Sequence, residues 1–232
     1  MIGTYYYPEQ WPAEAWAADF KKMRAMGLRH VHMAEFAWTH IEPREGEFRF
    51  DWLDRAVALA KENDLDIILC TPTATPPVWV AQDYPGTLMV RSNGRRVTHG
   101  SRAQRCVNSD TFNRLAETIT AKLAGRYGGH PRVIGWQLDN EIGHYGSAPC
   151  YCPACEAAFR RYLEVRYEGI DTLNTAWAGD FWSQNYQRFD QIPLPNPEAL
   201  PYLPNEHALL DFRRFYSLSQ THFLERQAEL LR

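Results

Sequence analysis

The sequence predicts an α/β fold with a parallel sheet: a (β/α)8 TIM barrel, with only its first half, about four strands, present in this chain. Three observations predict it. Short β-rich runs alternate with amphipathic helical stretches at crossover-length spacing. No Gly-rich phosphate loop follows the first run, which speaks against the doubly wound alternative. Polar side chains stand where three of the runs end, namely Glu35 after the second, Thr71 and Thr73 after the third, and Asn140 and Glu141 after the fourth. Barrel active sites are built from the carboxyl ends of strands. About 250 residues usually suffice for eight units. The 232 residues here yield four clear runs, so either long loops fill a chain that is cut short or the strand count is wrong.

The first run is "IGTYYYP", followed by a helical stretch in which Trp16, Phe20 and Met23 recur at i, i+4 and i+7. "HVHMAEF" is the second run. After a loop, Asp51 is placed to cap a helix whose Leu53, Ala56, Val57 and Ala60 form one apolar stripe. "DIILCTPT" is the third run. The stretch from Pro72 to Cys106 is rich in Pro and Gly, which argues against a regular element, and a helix follows with Phe112, Leu115, Ala116, Ile119 and Leu123 on one face. The fourth run, Val133 to Leu138, reads as a buried strand that stops abruptly at Asp139, Asn140 and Glu141. The remainder reads as a cysteine-rich start to a helix around Phe159, Tyr162 and Leu163, a Trp- and Pro-rich irregular stretch, and a long final helix from about Asn205. The whole of 1–232 is expected to form the N-terminal part of one barrel domain, truncated in this chain.

Composition narrows the function classes. The chain is 45% hydrophobic and 13% aromatic, the character of a packed globular piece. Twenty-five Lys and Arg against 28 Asp and Glu give a net charge of −3, so no field of one sign steers it toward nucleic acid or an anionic membrane. The start, "MIGTYYYPEQWP", lacks a basic segment followed by an apolar run, and no stretch of about 18 apolar residues occurs. The expected location is the cytoplasm.

Five blocks carry a family resemblance: "YYYPEQWP" near the start, "HMAEFAW" at the second run, "GSRAQRCVNSD" in the long loop, "GWQLDNEIG" at the fourth run and "CYCPAC" after it. Together they resemble the glycoside hydrolase family 42 β-galactosidases, and the likeness continues through "TLNTAWAGDFWSQNY" to the last helix. Members of that family are much longer, so the resemblance is to their N-terminal part. It implies a barrel fold, a retaining reaction on terminal β-galactosides, and a homotrimer in the full-length protein.

Cleaving a glycosidic bond with retention needs a protonated carboxylic acid at the leaving oxygen and a second carboxylate about 5 to 5.5 Å away that attacks the anomeric carbon. Glu141 suits the first role: a strand end fixes its backbone, and partial burial near a second carboxylate raises the pKa of such a group. Read alone, an Asn-Glu pair is as well explained as the start of a helix, with Asp139 or Asn140 as cap. The resemblance assigns Glu141 as acid/base and Asn140 as donor or acceptor to the sugar 2-OH. Arg102 read alone is a solvated loop charge; the resemblance makes it a sugar-binding fork of donors. Asp139 is expected to orient rather than react. Glu35 as acceptor from hydroxyls and Trp182 as stacking face compete with a surface salt bridge and a core Trp. Trp11 and Trp38 are expected to serve packing.

The cysteines form a second signal. Cys150, Cys152 and Cys155 make a C-x-C-x₂-C cluster in one tight turn, and Cys106 arrives from the preceding loop, a four-thiolate zinc pattern. Disulfides and a redox thiol pair are the alternatives, the former disfavoured in the cytosol. The resemblance implies zinc at these four positions, and four thiolates leave no site open for water or substrate, so the metal is expected to be structural. Cys70 is expected to be a buried small hydrophobe. The family's nucleophile is a Glu at a later strand end, and no second strand-end Glu here matches it; Glu35 lies on the wrong strand. A non-catalytic sugar-binding module and a zinc or thiol protein remain the other readings.

Overall fold

A computed structural model describes residues 2–143 and 149–232. Among the described residues four strands form one sheet in the order β1-β2-β3-β4, every pairing parallel. They are β1 (Gly3–Tyr5), β2 (His30–Met33), β3 (Asp66–Cys70) and β4 (Val133–Gln137). Each strand lies beside the one that precedes it in sequence. Register pairs Tyr5 with His32, Met33 with Leu69 and Cys70 with Gln137, with one irregularity between Ile67 and Ile68.

The crossovers are helices α1 (Ala13–Ala25) between β1 and β2, α3 (Asp51–Glu62) between β2 and β3, and α5 (Asp110–Tyr127) between β3 and β4. Alternation along β2 shows how the layers are sorted: Val31 and Met33 are buried against the helices, while His30 and His32 face the other, half-open side. Phe20, Val31, Met33, Leu53, Ile67, Leu69, Phe112 and Ile119 belong to the resulting core. Burial of each such side chain contributes roughly 1.5 to 3 kcal/mol against exposure. Gly3 is required by this packing, because a Cβ there would lie 2.2 Å from the His30 ring.

The apolar stripes of α3 and α5 are buried as their spacing predicts. Several expectations are corrected. Asp51 makes no capping bond; Phe50 holds the N-cap position, and Asp51 stands in the first turn, where its charge complements the helix N-terminus. The long loop after β3 contains a short helix, α4 (Val78–Asp83), started by Pro77, in addition to α2 (Trp38–Ile41) after β2. The irregular stretch contains α7 (Ile170–Ala176). β4 is not a buried strand: at the sheet edge, Ile134 is 51% exposed. Trp38 is fully buried as expected, but Trp11 is 57% exposed and is not a packing residue.

A second core joins α6 (Pro153–Tyr167), α7 and α8 (Glu206–Leu230) through Phe159, Leu163, Leu173, Trp177 and Phe212. Asn205 caps α8 by accepting from the N–H groups of His207 and Ala208. At its far end α8 returns to the first core, where Phe223 packs against Phe112. No helix among the described residues is long and apolar enough to cross a membrane.

Candidate active site

The residues predicted from the strand ends meet at the carboxyl edge of the sheet. β2 leaves through Ala34, in left-handed backbone with φ 71°, and β4 leaves through Asp139 and Glu141, with φ 55° and 47°. Non-glycine residues in this region cost about 1 to 3 kcal/mol each and persist where surroundings over-determine them. The turn at Ala34 sends Glu35 inward, where it is 4% exposed. Its Oε2 accepts from the Tyr7 hydroxyl at 2.6 Å and its Oε1 from the Gln137 amide at 2.7 Å. Burial, then this bond to Glu35, pushes the Tyr7 hydroxyl pKa well up.

Asn140 links the two strand ends. With its amide oriented to suit its neighbours, the nitrogen donates to Glu35 Oε1 at 2.8 Å and the oxygen accepts from Arg102 Nη1 at 2.7 Å. Arg102 Nη2 in turn reaches Glu141 Oε2 at 2.8 Å. The predicted Glu141, Asn140 and Arg102 are thus one connected group, extended by Glu35, Gln137 and Tyr7. Among the described residues Glu35 makes no salt bridge, surface or buried: its partners there are neutral donors. The burial expected around Glu141 is absent from the described residues, since its side chain is 47% exposed and its charged neighbour is the Arg102 guanidinium. Glu141 lies just past β4, which is an edge strand of the sheet among the described residues. Trp182 is 55% exposed and stacks on Phe181 at 4.6 Å between centroids, so it is not a core Trp.

Behind this group, Asp139 is fully buried and paired with Arg105 at 2.5 Å. The sequence carried no signal for Arg105, which looks like any other loop arginine. Gln137 and Tyr7 were equally silent, although both lie in blocks that carried the resemblance.

The second predicted group also assembles. The Sγ atoms of Cys106, Cys150, Cys152 and Cys155 lie within 4.8 Å of one another, all buried. All described cysteines are free, and the Cys106 sulfur stands 3.5 Å from Cys152 and 3.4 Å from Cys155, so the structure holds four thiols and no disulfide among the described residues. Pro153 starts α6, so Cys152 takes its N-cap position and Cys155 its first turn. Thiol hydrogen bonds, first from Cys106, pull the Cys152 pKa well below its ordinary value, while bonding with Cys150 first and Cys152 next pushes Cys106 up. The N–H of Val90 and the amide of Asn108 point at Cys150 and Cys155 sulfurs at 3.3 and 3.4 Å. Four converging thiols with outer donors can hold one metal ion. Cys70 is buried and apart from the cluster, its pKa raised chiefly by burial, as expected of a small hydrophobe.

The glycoside hydrolase family 42 model, described as beta-galactosidase, matches residues 5–232. The chain belongs to glycoside hydrolase family 42. A family 42 relative, the β-galactosidase of Thermus thermophilus, is 44% identical over 232 residues, which is 100% of this chain and 36% of that protein. The crystal structure of β-galactosidase from the psychrophilic Marinomonas ef1 superposes with a TM-score of 0.96 at 38% identity, covering 99% of this chain and 35% of that one. The polyextremophilic β-galactosidase of Halorubrum lacusprofundi gives 0.96 at 41%, again with 35% of that chain covered. The four parallel strands are therefore part of a family 42 TIM barrel, and this chain spans about a third of the length of these relatives.

Proposed function

We propose that residues 1–232 form the N-terminal part of the catalytic barrel of a retaining β-galactosidase, with Glu141 as its acid/base. The observation that carries this reading is the chain of contacts Glu141–Arg102–Asn140–Glu35 across the carboxyl ends of β2 and β4. It sets a carboxyl group, a guanidinium fork and an amide side by side on an open face, which is what a sugar ring with several hydroxyls and one departing oxygen requires. Arg102 and Asn140 bind hydroxyls of the galactosyl residue, Asn140 at the 2-OH. Entry of sugar replaces the Arg102–Glu141 contact with contacts to substrate and frees Glu141 to serve the glycosidic oxygen. The Glu141 carboxyl gives its proton to that oxygen as the bond breaks, and as a carboxylate it then takes a proton from the water that hydrolyses the galactosyl-enzyme intermediate. The attacking carboxylate belongs to a later strand than β4; Glu35, tied to Tyr7, Gln137 and Asn140, keeps a binding role.

The thiol cluster is assigned to a structural zinc ion. Zn–S bonds of about 2.3 Å in a tetrahedron put sulfurs about 3.8 Å apart, and separations of 3.4 and 3.5 Å within a 4.8 Å envelope accommodate it. With Cys106, Cys150, Cys152 and Cys155 all bound, no coordination position remains for substrate. Reduced thiols agree with a cytoplasmic location, and a homotrimer is the assembly we propose for the complete protein.

The test is Glu141→Gln in the complete enzyme, which keeps shape and removes proton transfer, a contribution of about 10² to 10⁴-fold. Activity on a galactoside with a poor leaving group falls by that order, and activity on an activated aryl galactoside falls much less. Equal loss on both substrates would rule out the acid role.

A further inference from the structure

The Asp139–Arg105 ion pair is shut off from solvent, with side chains 0% and 4% exposed and Oδ1 2.5 Å from Nη2. Buried ion pairs are weak devices for stability, because desolvation offsets their attraction. Its position directly behind the acid/base gives it another use. Asp139 is saturated with partners: Oδ1 also accepts from the N–H of Asn140 at 2.7 Å, and Oδ2 accepts from the Thr73 hydroxyl at 2.6 Å. Its own N–H donates to Thr71 Oγ1 at 2.7 Å, and its carbonyl accepts from Gln137 at 3.2 Å. These bonds hold residue 139 in left-handed backbone, and Glu141 two residues on is left-handed as well. The direction in which Asn140 and Glu141 leave β4 is therefore set by the Asp139 side chain.

The other end of the pair is equally fixed. Arg105 bridges Leu88, and the neighbouring bonds Met89 N–H to Gln104 O at 2.9 Å and Cys106 N–H to Thr87 O at 2.7 Å tie its backbone down. Its guanidinium carbon lies 5.9 Å from the centroid of the Phe223 ring. One loop thus sends two arginines to the exit of β4: Arg102 meets Glu141 on the open face, and Arg105 grips Asp139 behind it.

We propose that Arg105 and Asp139 are a positioning pair that aims Glu141 at the leaving-group oxygen. This rests on Glu141 being the proton donor. A misdirected acid costs most where protonation matters most, so the pair has a signature that a purely structural contact lacks. The experiment measures kcat/KM of the complete enzyme for a series of aryl β-galactosides whose phenols range from weakly to strongly acidic. Asp139→Asn removes the charge and keeps the shape; Arg105→Lys keeps the charge and removes the fork. Both are expected to lose about ten- to a hundredfold on the poorest leaving group and less than about threefold on the most activated one. If Asp139→Asn does not fold, Arg105→Lys carries the test alone. Equal loss across the series, or no loss in a folded variant, would overturn the proposal. Glu141→Gln run in parallel separates the two readings: a steep dependence there with a flat one in the pair variants removes only the positioning role, while a flat dependence in all variants removes the acid assignment too.

Discussion

Glu9 offers a direct check on the burial physics at the end of β1. It stands in the turn Pro8–Gln10, and both carboxylate oxygens are buried without a well-formed hydrogen bond among the described residues. Burial pushes its pKa from 4.5 to about 7, against the opposing pull of its own backbone N–H. The folded chain therefore keeps a proton on Glu9 that the unfolded chain releases above pH 4.5. Between 4.5 and about 7 the folded state binds more protons than the unfolded one, so stability falls as pH rises. At 1.36 kcal/mol per pH unit, that interval corresponds to about 3 kcal/mol, fully lost by about pH 8. Glu9→Gln removes the titration while keeping the shape. The variant is expected to match the parent near pH 4.5 and to be about 3 kcal/mol more stable near pH 8. Urea unfolding of both proteins across that range, followed by tryptophan fluorescence, measures the difference. A gap that is the same at every pH would refute the argument, as would a variant less stable at pH 8, which would mean that Glu9 is ionised and held by a partner.

Reductively purified protein is expected to contain one zinc per chain, and Cys152→Ser or a strong chelator to loosen both the Cys106 loop and the start of α6, since metal binding and folding are linked; elemental analysis and proteolysis of that region check it, and metal-free protein with an unaltered digest would count against the assignment. Residues 1–232 expressed alone are expected not to turn over an activated aryl β-galactoside above a Glu141→Ala control, because retention needs a facing carboxylate. Turnover clearly above that control, with host galactosidase excluded, would place a nucleophile among these residues.

Much of this fold could be read from the chain because burial on one face leaves a periodic trace. The stripe Leu53, Ala56, Val57, Ala60 and the run Asp66–Cys70 are each buried by one contiguous surface, and their spacing says so. The short elements α4 and α7 left no such trace: six and seven residues make too few turns for a period to show. Trp182 stayed between two readings, and Trp11, expected to pack, stands exposed, for a different reason: a large aromatic ring suits a core and an open surface equally. At the site, the four cysteines stood out through their spacing, and Glu141, Asn140 and Arg102 through the family resemblance of the blocks that hold them. Arg105 did not, although it is the buried arginine of "SRAQRC" and Arg102 the half-exposed one. Which arginine goes inward depends on the carboxylate waiting behind β4, a partner 34 residues away.

The strand order has a consequence for how this chain is made. Because the sheet runs β1-β2-β3-β4 in both space and sequence, each strand emerging from a ribosome finds its neighbour already synthesised. Within these four strands, every pairing is with the strand just made. The thiol cluster is the exception: Cys106 is separated from Cys155 by 49 residues. At about 5 to 20 residues per second, that distance takes about 2.5 to 10 s to translate. For those seconds the loop carrying both arginines is held by its own backbone bonds, Met89 N–H to Gln104 O and Cys106 N–H to Thr87 O, and not by the thiols. Residues 150–155 then bring three sulfurs to that loop, and α8, made later still, adds the Phe223 ring against Arg105.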